Sequence, residues 1–362
     1  MREGSATRQE LKFVSFDAPN ADMNANDYNG TFPVGINNEG AVTGYYVDAN
    51  NVYHGFLRSH DGHFTTFEAT GADTTPNSYN GTTPSVINDL GEITGNYADV
   101  HGNVHGFLRG STGTFKTLDI PGGTGTYPLA MNLQGAVVGY YTDANNVIRA
   151  FVRTPDGKFK TWTGPGACVI DPSQGCYGSG ASNINDLGFV VGGYEDNGGN
   201  FVHHSFFRDL AGKLQIFDVP GAGTGSYQGT GCPGCALGFN LWGTVAGTYI
   251  DSNGVQHGFI RTPDSKITTF DAPGAGNSSY QGTGCSSDCP TILNNWGVIT
   301  GNYIDSNYVL HGYLRSAKGD IVTVDPSGST FTWSSGLNDL GVMTGYYLDA
   351  NNVFHGFLAF RN

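Results

Sequence analysis

The chain has 362 residues, among them 56 Gly, 19 Tyr and 22 Phe, and only 13% are charged. That composition is typical of many short strands joined by tight turns and argues against a helical protein. The formal net charge of −14, with 17 Lys and Arg, excludes the basic face that nucleic acid requires. No stretch has the roughly 18 apolar residues of a membrane span, so we expect no membrane insertion.

In chain order, the first ten residues lack the apolar centre of a signal peptide. We expect residues 1–10 to be a disordered tail. If the protein is exported, we expect its signal to be missing from this form of the chain.

From residue 37 onward, an Asn followed three residues later by Gly opens a pattern that occurs seven times. Successive copies begin 44 to 55 residues apart, a period near that of propeller blades. The seven asparagines are Asn37, Asn88, Asn132, Asn185, Asn240, Asn294 and Asn338. Because the pattern repeats, we treat the chain as one array and not as two or three domains.

Each copy continues with the same elements in the same order. In the first copy, residues 44–48 read GYYVD, residues 52–58 read VYHGFLR and residues 64–69 read FTTFEA. Alternation of apolar with small or polar residues, bounded by Asn, Asp and Gly, predicts strands. Together with the short run before each Asn, every copy holds four strands, which we label a to d. Four antiparallel strands in about 50 residues are typical of one propeller blade.

The ends of the chain complement each other. The last copy stops after strand c, at VFHGFLAFRN, and residues 11–19, LKFVSFDAP, match strand d of the other copies. We therefore predict an all-β fold: a single seven-bladed β-propeller over residues 11–362, closed by the N-terminal strand completing the last blade. A parallel β-helix is the alternative, but its coils are shorter and its ends do not pair.

The repeat resembles the extracellular repeat family named for its His-Ala-Phe signature, written here mostly as His-Gly-Phe. The resemblance covers nearly all of residues 33–358, in the pattern INDLGEITGNYAD followed by HGFLR. It departs at Arg149-Ala150-Phe151 and His204-Ser205-Phe206. The resemblance implies a secreted bacterial protein and implies little about chemistry.

The six cysteines form three local pairs in segments rich in Gly, Ser, Thr and Pro: Cys168/Cys176, Cys232/Cys235 and Cys285/Cys289. Even numbers at such short spacing predict disulfides and an extracellular or periplasmic location. The alternative is zinc held by the four thiolates of the second and third pairs.

Several residues recur in nearly every copy, and we interpret them as structural. A His on strand c, present in six copies, is expected to bond the Asp that ends strand b, because a residue needed once for catalysis is not copied into six blades. The Asp-x-Asn-Asn turns are typical of hairpins. Calcium at these turns is possible in principle, but one carboxylate per turn is few, so we predict no metal or other cofactor.

Binding residues are better sought in the longer connections between strand d and the next strand a, because loops on a rigid scaffold carry function. Four of them share Tyr-Asn/Gln-Gly-Thr, and two others place a Tyr in a comparable position. Aromatic faces beside carboxamides suit the C–H faces and hydroxyls of neutral sugars. The predicted ligand-binding residues are Tyr28, Asn29, Tyr79, Asn80, Tyr127, Tyr177, Tyr227, Gln228, Tyr280 and Gln281. The competing interpretation is that the tyrosines cover inner strands and the amides close turns.

The sequence predicts no catalytic residue with a motif behind it: a nucleophile elbow, a phosphate-binding loop and a His-Glu-x-x-His pair are all absent. The best candidates are residues that break the repeat, namely His101, Arg149, Glu195 and His203. An Arg–His–Tyr set would suit a polysaccharide lyase.

From the sequence we therefore expect a monomeric secreted propeller that binds a glycan or similar polymer. The alternatives are a polysaccharide lyase or glycoside hydrolase on the same face, and a non-catalytic structural surface protein.

Overall fold

The computed structural model describes residues 11–169, 177–232, 235–285 and 289–361. Within these ranges the chain forms thirty β-strands and no helix, so the all-β prediction is confirmed. No described helix is long and apolar enough to cross a membrane. The predicted tail at residues 1–10 lies outside the described residues.

The described strands form four sheets, of 4, 8, 14 and 4 strands. Their antiparallel pairings define seven units with the predicted order a to d, and single parallel bridges join unit 2 to 3, unit 4 to 5 and unit 5 to 6. Unit 1 comprises β2 (Thr31–Ile36), β3 (Val42–Val47), β4 (Tyr53–Arg58) and β5 (Phe64–Phe67), and unit 2 comprises β6 (Thr82–Ile87), β7 (Ile93–Ala98), β8 (Val104–Arg109) and β9 (Phe115–Thr117). Unit 3 comprises β10 (Gly123–Met131), β11 (Val137–Asp143), β12 (Ile148–Arg153) and β13 (Phe159–Trp162). Unit 4 comprises β14 (Ser179–Ile184), β15 (Val190–Glu195), β16 (His203–Arg208) and β17 (Leu214–Phe217).

In units 5 and 6, strand a is split into two short pieces. Unit 5 comprises β18 (Gly229–Thr230), β19 (Gly238–Phe239), β20 (Val245–Ile250), β21 (Gln256–Arg261) and β22 (Ile267–Phe270). Unit 6 comprises β23 (Gly282–Thr283), β24 (Ile292–Leu293), β25 (Ile299–Ile304), β26 (Leu310–Arg315) and β27 (Ile321–Val324). Unit 7 comprises β28 (Phe331–Leu337), β29 (Met343–Leu348), β30 (Phe354–Arg361) and β1 (Leu11–Phe16).

The N-terminal strand is the outer strand of unit 7. β1 pairs with β30 along its whole length, from Leu11 opposite Arg361 to Phe16 opposite Gly356. Arg58 of unit 1 stands over the Phe16 ring at 4.8 Å. The same Arg-over-ring contact joins unit 2 to unit 1, through Arg109 and Phe67, so β1 occupies the position of a strand d that precedes unit 1.

The seven repeated asparagines join the units at their inner edge. Each side-chain Nδ2 donates to the backbone carbonyl of the next Asn, at 3.0 to 3.4 Å. The last of these bonds runs from Asn338 to Asn37, 301 residues earlier in the chain. The Oδ1 of Asn37 accepts the backbone N–H of Ala41 and so closes its own hairpin. The repeated Asn therefore links neighbouring units as well as shaping one turn.

The core of each unit is built around a ring at the fourth position of strand c. This ring is almost completely buried in every unit, as Phe56, Phe107, Phe151, Phe206, Phe259, Tyr313 and Phe357. Burying one such side chain stabilises the fold by roughly 1.5–3 kcal/mol. The facing residue on strand b must be small: a Cβ on Gly44 would lie 2.2 Å from the Phe32 carbonyl oxygen and 2.8 Å from the Phe56 ring. This explains the Gly that opens each Gly-x-Tyr sequence.

Candidate functional site on the loop face

Strand direction divides the units between two faces of the molecule. Strands b and c are joined on the same side as the connections from strand d to the next strand a, and we call this side the loop face. The Asn-x-x-Gly hairpins between strands a and b, and the turns between c and d, lie on the opposite side, the turn face. Nine of the ten predicted ligand-binding residues lie in the d–a connections, and the tenth, Tyr127, lies within β10.

The b–c hairpins are held by the Asp that ends strand b. In unit 1, Asp48 Oδ1 accepts the backbone N–H groups of Asn50 (2.9 Å) and Val52 (3.0 Å). Burial acts to raise the pKa of Asp48, but the hydrogen bonds from Val52 and Asn50 outweigh it and hold the pKa below its ordinary value. The carboxylate is therefore used by its own hairpin, as the structural interpretation predicts.

The repeated His lies between two carboxylates, of which the sequence analysis identified one. In unit 2, His105 Nδ1 is 2.9 Å from Asp119, two residues after strand d, and Nε2 is 3.4 Å from Asp99 of the hairpin. The predicted hairpin contact is thus the longer of the two. The further carboxylates are Glu68, Asp119, Asp218, Asp271, Asp325 and Asp17, each touching the His of its own unit. The sequence does carry a signal for this second contact, because in five copies an Asp or Glu lies 14 residues after the His.

A tyrosine ring completes each of these sites. The repeated Tyr of strand b stacks on the imidazole with centroids about 5 Å apart in the six His-containing units. The hydrogen bond to Glu68 is the main cause that raises the pKa of His54, and Asp218 and Asp17 act in the same way on His204 and His355. These imidazoles therefore carry a charge more readily than an exposed His does.

Unit 3 replaces the His and its outer acid together. Arg149 occupies the His position and donates from Nε to Asp143 at 2.7 Å. Thr163 stands where the other units have Asp or Glu. Because an arginine is always protonated and here has one carboxylate to neutralise, the substitution keeps the hairpin contact without a second acid. Arg149 is thus a structural equivalent of the His.

The four tyrosines of the shared motif are exposed and adopt a left-handed backbone. Tyr28, Tyr79, Tyr227 and Tyr280 have φ between 53° and 64° and side chains 43% to 67% exposed. A bulky residue in this region is uncommon, and the conformation costs of order 1–3 kcal/mol. The loops therefore hold four large rings at the surface in a conformation that Gly or Asn would adopt more easily.

The carboxamides that follow these tyrosines are engaged inside the loops. Asn29 Nδ2 donates to Asp22 and Asn51, and Asn80 Nδ2 donates to Asp73. Gln228 and Gln281 donate to the backbone carbonyls of Ser252 and Ser306. These contacts agree with the interpretation that the amides close turns. Their part in ligand binding stays a prediction, and the exposed groups of the motif are the Tyr rings.

The Gly and Thr of the motif dock each loop on the preceding unit. A Cβ on Gly81 would lie 2.0 Å from the carbonyl oxygen of Tyr53 in unit 1, and the Asn80 carbonyl accepts the Tyr53 N–H at 2.8 Å. Thr82, which is fully buried, accepts the backbone N–H of Ala69 at 3.0 Å. In this loop the Asn, Gly and Thr of the motif all make close contacts with unit 1, and the Tyr79 ring is the exposed part.

The other two predicted tyrosines differ from these four. Tyr127 lies within β10, half-buried, and stacks on Tyr140 with centroids 4.7 Å apart. Tyr177 is exposed, and its backbone N–H donates to Glu195 at 2.7 Å. Tyr177 thus resembles the motif tyrosines in exposure, whereas Tyr127 belongs to an inner strand.

Two of the residues that break the repeat meet in unit 4. Glu195 and His203 are both buried, with His203 Nε2 3.1 Å from Glu195, and Nδ1 of His203 has no partner among the described groups. The Tyr227 ring stacks on Phe201 at 5.8 Å beside them. No hydrogen bond within the described part of the chain joins His101, Arg149 and His203, so the proposed Arg–His–Tyr set is not assembled through direct contacts.

The cysteines of units 5 and 6 are oxidised. Cys232 bonds Cys235 and Cys285 bonds Cys289, each between the two pieces of a split strand a, and this leaves no thiolate for the alternative zinc site. The predicted partner of Cys168, Cys176, lies outside the described residues. In the described ranges there is no group of three His, Cys, Asp or Glu side chains arranged to hold a metal ion.

No family model matches the chain, and no curated protein matches it. Among solved structures, the BP39L lectin from Burkholderia pseudomallei matches with a TM-score of 0.53 and 10% identity, over 96% of this chain and 95% of the lectin. The acylaminoacyl peptidase from Pyrococcus horikoshii matches with a TM-score of 0.52 and 8% identity, over 96% of this chain and 52% of the peptidase. Puromycin hydrolase matches with a TM-score of 0.51 and 13% identity, over 88% of this chain and 50% of the hydrolase.

The chain therefore has an all-β, propeller-like fold shared with a lectin and with parts of two hydrolases. It spans about half the length of each of those two. At 8% to 13% identity the likeness shows the fold alone.

Proposed function

We propose that the chain is a seven-bladed β-propeller in which each unit is one blade, closed by the pairing of β1 with β30. The pairing itself and the bond from Asn338 back to Asn37 support this. A closed ring leaves no sheet edge at a seam and needs no capping repeat.

We also propose that it is a monomeric extracellular or periplasmic member of the His-Ala-Phe repeat family. Two disulfides within short loops support an oxidising compartment. The protein denatured without reductant is expected to show no free thiol. Four free thiols with one bound zinc would contradict the proposal.

The function we propose is glycan binding on the loop face, by the rings of Tyr28, Tyr79, Tyr227 and Tyr280. The observation that carries it is the exposure of these rings in a left-handed backbone conformation, while the amide, Gly and Thr of the motif contact the scaffold. The Tyr227 ring also stacks on Phe201. Rigid, exposed aromatic rings stack on the apolar faces of sugars at little entropic cost. The Burkholderia lectin supports the proposal because its fold serves carbohydrate recognition.

The arrangement of these rings favours an extended ligand over a single small molecule. They precede units 1, 2, 5 and 6, and the connections before units 3 and 7 are short. Several weak stacking contacts on one chain raise the overall affinity through effective concentration. We therefore expect an oligosaccharide to bind better than its monomer.

A glycan array with the purified protein tests the proposal, followed by titration of the best ligand. Replacing Tyr79 or Tyr280 with Ala is expected to weaken binding by about 1–3 kcal/mol per ring, with little change in melting temperature. Trp296→Ala, an exposed aromatic on the turn face, is the matched control and is expected to bind normally. Tyr variants that change melting temperature but no binding would contradict the proposal.

The same experiment separates the alternatives. Release of shortened or unsaturated products from the bound glycan would identify a lyase or hydrolase. Absence of any bound glycan would favour a structural surface protein.

A further inference from the structure

The turn face carries its own exposed apolar side chains, at the third position of the Asn-x-x-Gly hairpins. Five of the seven hairpins have a large apolar residue there, 56% to 75% exposed: Leu90, Leu187, Trp242, Trp296 and Leu340. Glu39 and Gln134 occupy the other two positions. Single exposed apolar residues are common on protein surfaces. An apolar residue beside a cavity is more informative, because together they can form a binding site.

Such a cavity lies between units 4 and 5, with a volume of about 220 Å³. It is lined by Leu187, Phe189, Phe207 and Trp242, together with the polar side chains of Gln215 and Arg261. Cavities with apolar walls and a few placed polar groups are typical small-molecule sites. This one is separate from the loop face and uses none of its tyrosines.

The two phenylalanines in this cavity are departures from the repeat. Where unit 4 has Phe189, the other units have Ala41, Glu92, Ala136, Thr244, Val298 and Val342. Where it has Phe207, they have aliphatic residues: Leu57, Leu108, Val152, Ile260, Leu314 and Leu358. The two rings stack on each other with centroids 5.3 Å apart. Six other units fold without these rings. In unit 4 both rings pack against the hydrophobic cluster that contains Phe239, and they also line the cavity.

Trp242 lines the cavity from the hairpin of unit 5. It is 65% exposed, yet its Nε1–H donates to the backbone carbonyl of Asn295 in the next unit at 2.9 Å. The bond restrains the ring and uses its only donor, so any contact of Trp242 with a ligand in the cavity is an apolar one. An aromatic ring held in this way stacks with little loss of side-chain entropy.

Polar contacts must come from Gln215 and Arg261. The carboxamide of Gln215 is exposed on β17. Arg261 is only 3% exposed; it stands over Phe217 at 4.9 Å and donates to Ser265 at 2.8 Å, while its Nε has no partner among the described groups. The equivalent arginines of units 1, 2, 4 and 6 share this unpartnered Nε, so the feature that distinguishes the 4–5 seam is the pair of phenylalanines beside it.

We propose that this cavity binds a single pyranose residue that carries a methyl group, as a 6-deoxyhexose or an N-acetylhexosamine does. The C–H face of the ring stacks on Trp242, the methyl group fills the apolar space against Phe189 and Phe207, and hydroxyls meet Gln215 and Arg261. A fully hydroxylated hexose would place a hydroxyl against the two phenyl rings without a partner, which costs affinity. The site is independent of glycan binding by the loop-face tyrosines.

Ligand-observed NMR and tryptophan fluorescence, with methyl glycosides of a 6-deoxyhexose, an N-acetylhexosamine and an unsubstituted hexose as probes, test the proposal. One or both methyl-bearing sugars are expected to bind at least tenfold more tightly than the hexose. The double variant Phe189→Val, Phe207→Leu carries residues found in other units, so it is expected to keep the fold and lose this preference. Trp242→Ala is expected to abolish binding and Trp296→Ala, its counterpart in unit 6, to leave it unchanged.

The controls distinguish this proposal from the loop-face proposal. Binding that is lost in Tyr79→Ala and kept in Trp242→Ala would overturn the cavity site and support the loop face. Equal binding of all three glycosides, or none, would overturn it. Tighter binding of N-acetylphenylalaninamide than of any glycoside would also overturn it, in favour of a peptide anchor.

Discussion

The loop face and the turn face use their repeated residues alike but differ in what they leave exposed. On both faces, the residues that recur in nearly every unit make structural hydrogen bonds. Asp48 and His54 do so in the hairpin of the loop face, and Asn37 does so on the turn face. The loop face then presents four similar Tyr rings, whereas the turn face has one seam where Phe189 and Phe207 break the pattern. Copies of one weak contact suit an extended polymer, and a single departure suits a single small ligand.

The largest expected loss of stability comes from removing the N-terminal strand β1, which completes unit 7. Deleting residues 11–19 removes β1, and with it Phe16 from the core and Asp17 from His355. We expect a loss of more than about 4 kcal/mol in unfolding free energy, because removal of one buried Phe alone costs about 3–5 kcal/mol and an open edge is added. Urea denaturation measures it.

The control is deletion of residues 1–8, which precede the first described strand, and it is expected to change stability little. Equal melting temperatures for the two truncations would contradict the completion of unit 7 by β1 and with it the seven-bladed proposal.

The turn face is tested at the ring of asparagines. Asn132→Ala removes a donor to Asn185 at 3.1 Å and an acceptor for the Ala136 N–H at 2.9 Å, and leaves both partners buried and unpaired. We expect a loss of about 2–3 kcal/mol. Chemical denaturation is the measurement, and Gln134→Ala, an exposed residue of the same hairpin, is the control. A loss below about 0.5 kcal/mol, which is usual for a substitution at an exposed surface site, would show that the amide only shapes its own turn.

Much of the fold was predictable because one repeat, read seven times, averages out the ambiguity of a single strand. The all-β class, the four strands of each unit and the partner of β1 follow from matching copies such as LKFVSFDAP and KITTFDAP. The features that the sequence analysis missed depend on strand register and packing. The pairing of His105 with Asp119 needs strand d beside strand c, and the placement of Tyr127 inside a strand needs the extended pairing of β10.

The candidate sites were less predictable for a related reason. The motif residues Asn80 and Gly81 are repeated because the loop needs them to dock, so repetition alone did not separate ligand contacts from scaffold. The cavity beside Trp242 required residues of two units, Phe207 and Arg261 among them, to be brought together, and no spacing in the sequence indicates that. Copy-by-copy differences, such as Phe189 against Ala or Val, were the signal available.

On the loop face, His54→Ala is expected to cost about 1–2 kcal/mol, since the carboxylates of Asp48 and Glu68 lose their shared partner. The effect depends on pH. The pKa of His54 is raised in the folded protein, so its contribution is fully present below the unfolded pKa and is lost as the pH rises through the folded value. The difference in stability between the two proteins is therefore expected to be largest below the ordinary histidine pKa of about 6.5 and to shrink as the pH rises above it, which thermal melts across a pH series measure.

Arg149→Ala provides the matched control, because an arginine at the same position stays protonated throughout that range. Its destabilisation is expected to be constant with pH. If His54→Ala also shows no pH dependence, the imidazole acts through stacking on Tyr46 and not through its charge.

The smallest expected effect is a gain of stability, and it sharpens the contrast between scaffold and ligand contacts most directly. Tyr79 holds a left-handed backbone with φ of 53°, which Asn tolerates better than an aromatic residue does. Tyr79→Asn is therefore expected to raise the unfolding free energy by up to about 1 kcal/mol while weakening glycan binding. Tyr308, with φ of 63° on the unit 6 hairpin, is the control: Asn51, Asn146 and Asn352 occupy its position in other units, and Tyr308→Asn should give the same gain without loss of binding. If Tyr79→Asn instead destabilises the protein, the ring packs against the loop and is retained for the fold, and the loop-face tyrosines are not a ligand site.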